Sequence, residues 1–205
     1  MISRLESDGK KVPGLDWEKP QITPNASPIS TLATLVTMTE NILTDYALEN
    51  QWEPPTNIRG LVMLRPPEYQ IEIATDKATE FLDMIMNLPV FDRIMRGEKI
   101  QPIRKSKHDK PSPAKGEKRE SHLLLRPVAQ NALSRAVSNL MERGFSLKDI
   151  GSKLRDFDLD GGFEMDNINN PWIGVIFDRN GGKLKKISKG EPELVHLIEY
   201  IIGGW

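Results

Sequence analysis

The stretch RPVAQNALSRAVSNLMERG, residues 126–144, constrains this chain more than any other. Val128, Ala129, Ala132, Leu133, Ala136, Val137, Leu140 and Met141 recur at helical spacing and make one broad apolar face. Pro127 suits the first helical position, and Gly144 stands just past the last. A face this wide has to be covered by other elements, so the chain must build layers of helices around it. A second helix is expected directly afterwards in FSLKDIGSKLRDF, where Ser146 and Asp149 have the spacing of a capping box. Leu147, Ile150 and Leu154 would then face the first helix.

The cover is sought upstream and downstream. Residues 1–26 are polar and Pro-rich and are expected to be extended, with Val12, Leu15, Trp17 and Ile22 as anchors. SPISTLATLVTMTENILTDYALEN predicts a helix, with Ser27 as its cap and Pro28 at its first position. Leu32, Leu35, Val36, Thr39, Ile42, Leu43 and Tyr46 form its stripe, and the tandem prolines of QWEPPTN stop it. A further helix is expected from a cap at Thr75, facing Ala78, Phe81, Leu82, Ile85 and Met86 inward. VFDRIMRG predicts a short helix ending at Gly97, and Met84, Met86 and Met95 read as core filler. PWIGVIFDRNGGKLKKIS predicts two short strands around an Asn180-Gly181 turn, and EPELVHLIEYIIGG a closing helix with Pro192 near its start. The expected fold class is mainly α with a small β-hairpin, an α+β arrangement.

Between Lys99 and Arg119 the texture changes. KIQPIRKSKHDKPSPAKGEKR carries eight Lys/Arg against Asp109 and Glu117, a local charge of +6, and almost nothing apolar. Such a stretch buries too little to offset its ordering entropy, so a mobile basic loop is expected. The predicted organisation is an N-terminal segment with helices over 1–98, the basic loop over 99–121, and a helical hairpin, β-hairpin and closing helix over 122–205, forming one compact domain overall. Lys99, Arg104, Lys105, Lys107, Lys110, Lys115, Lys118 and Arg119 are the candidate nucleic-acid contacts, through phosphate and without sequence preference. A solvated linker is the equal alternative, because the loop has no aromatic residue to stack on bases.

Other chemistries are narrowed by what is present. There is no cysteine, which excludes disulfides, zinc thiolate sites and thiol catalysis. The net charge of −1 gives no global field toward nucleic acid or membrane. No apolar run is long enough to span a bilayer, and MISRLESDGKK lacks a secretion signal, so a cytoplasmic protein is expected. DFDLDGGF, residues 156–163, resembles the front of a calcium loop through Asp156, Asp158, Asp160 and Gly161. The twelfth position is Asn167, whose amide lacks the bidentate carboxylate that such a loop needs, so a polar bend after a helix is expected. His108, His122 and His196 have no partners at metal-ligand spacing. Neither a G-x-S-x-G elbow nor a phosphate loop occurs, so no catalytic residue, metal or cofactor is expected. The helices at 127–155 have the look of half a helix-turn-helix, but the aspartate stretch follows where a recognition helix should stand, and an ordinary helical hairpin is expected.

Four segments, in order, resemble the C-terminal part of the DndB-like, DGQHR-domain family associated with DNA sulfur modification. They are VPGLDWEKPQITPNASPISTLATL (12–35), FLDMIMNLPVFDRIMRGE (81–98), ESHLLLRPVAQNAL (120–133) and NPWIGVIFDRNGGKL (170–184) with the apolar helix after it. The namesake Asp-Gly-Gln-His-Arg motif is absent, so no catalytic residue carries over. The resemblance implies the helical C-terminal portion of a ParB/sulfiredoxin-like DGQHR protein, as a truncated or split member. It implies a non-catalytic DNA-associated or regulatory module of a bacterial DNA-modification or defence system, acting through duplex DNA, transcriptional control or assembly with other proteins of the cluster. A protein-interaction subunit that completes a partner holding the missing core is the alternative, and residual ATP hydrolysis a third.

Overall fold

The computed structural model describes residues 15–16, 27–49, 67–105, 119–165, 171–172, 174–175, 177–180, 183–186 and 190–204. In chain order these form β1 (Leu15–Asp16), β2 (Ser30–Thr31), α1 (Leu32–Glu49), α2 (Glu68–Met86), α3 (Pro89–Met95), α4 (Ile100–Arg104), α5 (Pro127–Glu142), α6 (Leu147–Leu159), β3 (Phe177–Asn180), β4 (Lys183–Lys186) and α7 (Gly190–Gly203). A single 3-10 turn, Leu123–Leu125, precedes α5. The fold is mainly α, with β1–β2 a short parallel pair and β3–β4 an antiparallel hairpin. No helix among the described residues is long and apolar enough to cross a membrane.

The helix that the sequence marks most strongly is the centre of the molecule. Pro127 opens α5, and Gly144 closes it in the left-handed region at φ +90°, where a side chain would be strained. Its alanines 129, 132 and 136 are fully buried, and α1 and α7 pack on either side. Small side chains there let neighbouring helices come close, while Leu133, Val137 and Leu140 fill the core. Burying one such branched side chain contributes roughly 1.5–3 kcal/mol. A polar seam runs beside the apolar one. Ser30 Oγ donates to Gln130 Oε1 at 2.7 Å, and Gln130 Nε2 donates to the carbonyls of Leu124 at 2.8 Å and Ile29 at 3.2 Å. Asn41 Nδ2 donates to Ser134 Oγ at 2.8 Å, and Ser138 Oγ to the Asn41 carbonyl at 3.1 Å. These bonds fix the register of α1 on α5, because each buried polar group needs its own partner.

A second layer of α2, α3 and α6 completes the core. Ala78, Phe81 and Ile85 of α2, Val90 and Phe91 of α3, and Leu147, Ile150 and Leu154 of α6 are all buried. One apolar cluster draws on residues from Ile29 to Ile202. Met84 and Met86 pack against it, whereas Met95 is half exposed, so the methionines are core filler in two of the three positions. On α7, Leu194, Val195, Ile198 and Ile202 are buried, and so is Glu199. Its carboxylate accepts from Asn139 Nδ2 and from Arg143 at 3.0 Å, which ties α7 to the end of α5.

Several boundaries differ from the sequence reading, each for a local reason. The cap of α1 is Thr31, not Ser27: Thr31 Oγ1 accepts the Thr34 amide at 3.0 Å, while Ser30 and Thr31 pair with Leu15 and Asp16. The inward stripe accordingly runs through Thr34, Met38, Thr39, Ile42 and Leu43, and Val36 is exposed. Tyr46 lies outside the residues whose side chains are described. The α2 helix starts at Glu68, directly after Pro67, seven residues before the expected Thr75. Thr75 is inside the helix, where its hydroxyl donates to the Ile71 carbonyl at 2.7 Å. The hairpin pairs Asn180 with Lys183, one residue beyond the expected Asn180-Gly181 turn. The basic stretch opens with a helix, α4, rather than with loop.

Candidate functional site

The two ends of the basic stretch are held together. The Glu120 amide donates to the Pro102 carbonyl at 3.1 Å, Ser121 to Lys105 at 3.0 Å and His122 to Ile103 at 2.8 Å. Arg93 of α3 adds a fork: its guanidinium meets Glu120 at 2.8 and 3.0 Å and Glu98 at 2.6 and 2.7 Å. Those hydrogen bonds hold the Glu98 carboxyl below its ordinary range and push the Arg93 guanidinium above its own.

The expected phosphate contacts separate into different roles here. Lys99 is exposed and Lys105 half-buried. Arg104 is only 2% exposed and serves the fold. Its Nε donates to the Leu125 carbonyl at 3.0 Å, and its terminal nitrogen donates to the carbonyls of Pro28 and of Ile29. Burial, reinforced by the nearby Arg126 guanidinium, lowers Arg104 to about 10. A guanidinium turned into the core to hold three carbonyls is not offered to a phosphate, so Arg104 leaves the set of candidate contacts. Arg119 is likewise buried. Lys107, Lys110, Lys115 and Lys118, and with them His108, lie outside the described residues.

At the foot of this stem stands a buried acid–base pair. His122 Nε2 lies 2.6 Å from Asp158 Oδ1, and the two side chains are 4% and 3% exposed. Asp158 Oδ2 accepts the Val90 amide at 3.1 Å, at the first turn of α3. The other ring nitrogen, Nδ1, accepts the Leu124 amide at 3.3 Å and caps the 3-10 turn. An amide has only a hydrogen to give, so Nδ1 is the acceptor and Nε2 carries the proton aimed at Asp158. Ser121, just before, has φ +53° and is fully buried, and its hydroxyl has no hydrogen-bond partner.

Serine, histidine and aspartate together invite comparison with a nucleophilic triad, and the wiring answers it. A triad needs one histidine nitrogen on the serine and the other on the carboxylate. Here one nitrogen meets the carboxylate and the other meets a main-chain amide, which leaves none to take a proton from Ser121. The arrangement is therefore a structural tie joining the stem to α3 and α6.

The aspartate stretch gains its explanation from the same place. The α6 helix continues to Leu159, so Asp156 and Asp158 are helical and not part of a loop. Asp156 and Asp160 face solvent and Asp158 faces inward. Gly161, at φ +73°, donates its amide to the Asp158 carbonyl at 3.0 Å, and Gly162 donates to the Phe157 carbonyl at 2.9 Å, the paired bonds of a Schellman end. A Cβ at Gly162 would sit 2.4 Å from the Phe157 ring. Phe163 then stacks on Trp172, with centroids 5.7 Å apart and planes 9° off parallel, and the Phe157 ring meets Phe163 edge-on at 4.9 Å. Trp172 Nε1 donates to the Gly162 carbonyl at 2.6 Å. The His122 ring lies 5.9 Å from Phe163, so the aromatic block closes over the tie.

Among the described residues, no group of three His, Cys, Asp or Glu side chains is arranged to hold a metal. His196 is largely exposed, with Nδ1 3.7 Å from Glu199. After α6 the chain turns back to the stem, where the Leu123 amide donates to the Phe163 carbonyl at 2.9 Å and the Met165 amide to Ser121 at 3.2 Å. The element after α6 is thus a return to the core, and α5–α6 is an ordinary helical hairpin. Beside it, α2 and α6 leave an open cleft of about 420 Å³ with Met84, Leu88 and Leu147 in its lining and Glu80, Lys148 and Arg155 around them.

The His122–Asp158 tie escaped the sequence reading, although one signal pointed to it. Asp158 continues the stripe Leu147, Ile150, Leu154 at helical spacing, and a carboxylate on an apolar stripe requires a buried partner. In comparisons with protein-family models, curated proteins and solved structures, nothing matches the chain.

Proposed function

We propose that this chain is a non-catalytic, DNA-associated module, in which a helical scaffold carries the basic stretch 99–119 to the phosphate backbone. The reading is supported chiefly by the closed stem. Three main-chain hydrogen bonds tie Pro102, Ile103 and Lys105 to residues 120–122, and the Arg93–Glu120 fork anchors that junction to α3. With Arg104 and Arg119 buried, Lys99, Lys105, Lys107, Lys110, Lys115 and Lys118 remain, against Asp109 and Glu117. Charge of this kind makes sequence-independent, salt-sensitive contacts. By resemblance, its context is that of the DndB-like, DGQHR-domain proteins: a cytoplasmic bacterial DNA-modification or defence system, in which the chain corresponds to the helical portion beyond a ParB/sulfiredoxin-like core. Duplex binding followed against salt, with the intact chain and with 106–118 replaced by a short neutral linker, tests the reading. Affinity that is unchanged by the replacement removes the stretch from the account.

A second reading, a protein-interaction subunit that completes a partner, draws on the open cleft between α2 and α6, where the partly buried Met84 is edged by Glu80, Lys148 and Arg155. Light scattering of the chain alone and mixed with proteins encoded beside it separates the two.

A further inference from the structure

We draw no further inference here: the strongest candidate, the buried His122–Asp158 pair under the left-handed Ser121 at the stem of the basic stretch, has both ring nitrogens and both carboxylate oxygens taken by partners within the fold, so it restates the structural tie already described.

Discussion

Asp158 holds His122 with one carboxylate oxygen, at 2.6 Å, and the start of α3 with the other, through the Val90 amide at 3.1 Å. One side chain thus joins three separate parts of the chain: α6, α3 and the stem of the basic stretch. Asp158→Asn keeps the shape but turns an amide NH2 toward one of two donors. Because the site is sealed, an unmatched donor there costs about 3 kcal/mol. Urea denaturation should show a lower midpoint with an unchanged slope, the midpoint shift multiplied by that slope giving the loss. A double-mutant cycle with His122→Gln should give a coupling energy of about 1–3 kcal/mol, and additive losses would show that the two residues act separately.

Ser121 tells of strain beside this tie. Its φ of +53° is disfavoured for any residue with a Cβ, and its buried hydroxyl lacks a partner. Ser121→Gly removes both penalties and adds back some chain entropy in the unfolded state. The net expectation is a gain of about 1 kcal/mol, or roughly 2–4 °C in Tm for a chain this size. Ser121→Val, which keeps the strain and adds bulk, should lower the Tm. A glycine variant that melts below the parent chain would contradict the argument.

Gly162 is expected to tolerate no side chain. The Phe157 ring it faces is held edge-on to both Phe163 and Trp172, at 4.9 and 6.0 Å between centroids, so it has no easy retreat from a new Cβ. Gly162→Ala should therefore cost about 1–3 kcal/mol through overpacking. The loss should be accompanied by a changed near-ultraviolet signal of Trp172. Gly151→Ala is the control. Its Cβ would meet only the Met84 side chain, at 2.7 Å from Cγ, so an unbranched methionine beside an open cleft has to change rotamer, a smaller demand than moving a ring set between two others.

How much of this was legible before the structure depends on the range of the forces involved. The α5 helix was readable because its signals are local: Pro127 at one end, Gly144 at the other, and an apolar face between them. The Ser146 cap of α6 was readable for the same reason, and Ser146 Oγ does accept the Asp149 amide at 3.1 Å. Thr31 was missed as a cap because its position is set by pairing with β1, fifteen residues upstream in register. Asp158 and Arg104 were misread because a charge usually signals solvent. Their partners lie far away in sequence, 36 residues off for Asp158 and about 75 for the carbonyls of Pro28 and Ile29, and no local pattern announces them. The Gly161-Gly162 pair added to the error, since it marks a bend without showing that the helix runs up to it.

The Arg93–Glu98 contact carries a pH dependence whose sign follows from its shift. The Glu98 carboxyl is held below its ordinary value of 4.5, chiefly by the hydrogen bonds from Arg93. Its stabilisation is thus fully present above that value and is lost as the pH falls through the lower folded value. Both groups are partly exposed, so solvent screening keeps the effect small. Glu98→Gln should melt slightly below the parent chain near neutral pH, and the difference should narrow as the pH falls below the ordinary carboxylate range. A gap that persists in acid would mean that Glu98 acts through packing and not through its charge.

The lysines make the sharpest prediction about function. If they touch phosphate, replacing Lys107, Lys110, Lys115 and Lys118 together by glutamine should weaken duplex binding uniformly across sequences. Each phosphate left without its lysine should flatten the dependence of log affinity on log salt by about 0.9, so four of them would flatten it by roughly 3.6. Arg104→Lys should behave differently. It keeps the charge but loses the planar fork that reaches the Leu125, Pro28 and Ile29 carbonyls, so it should lower stability while leaving the salt slope of the folded protein as it was. A steep salt slope that survives the four lysine changes would move the phosphate contact away from the stem and onto another face of the scaffold.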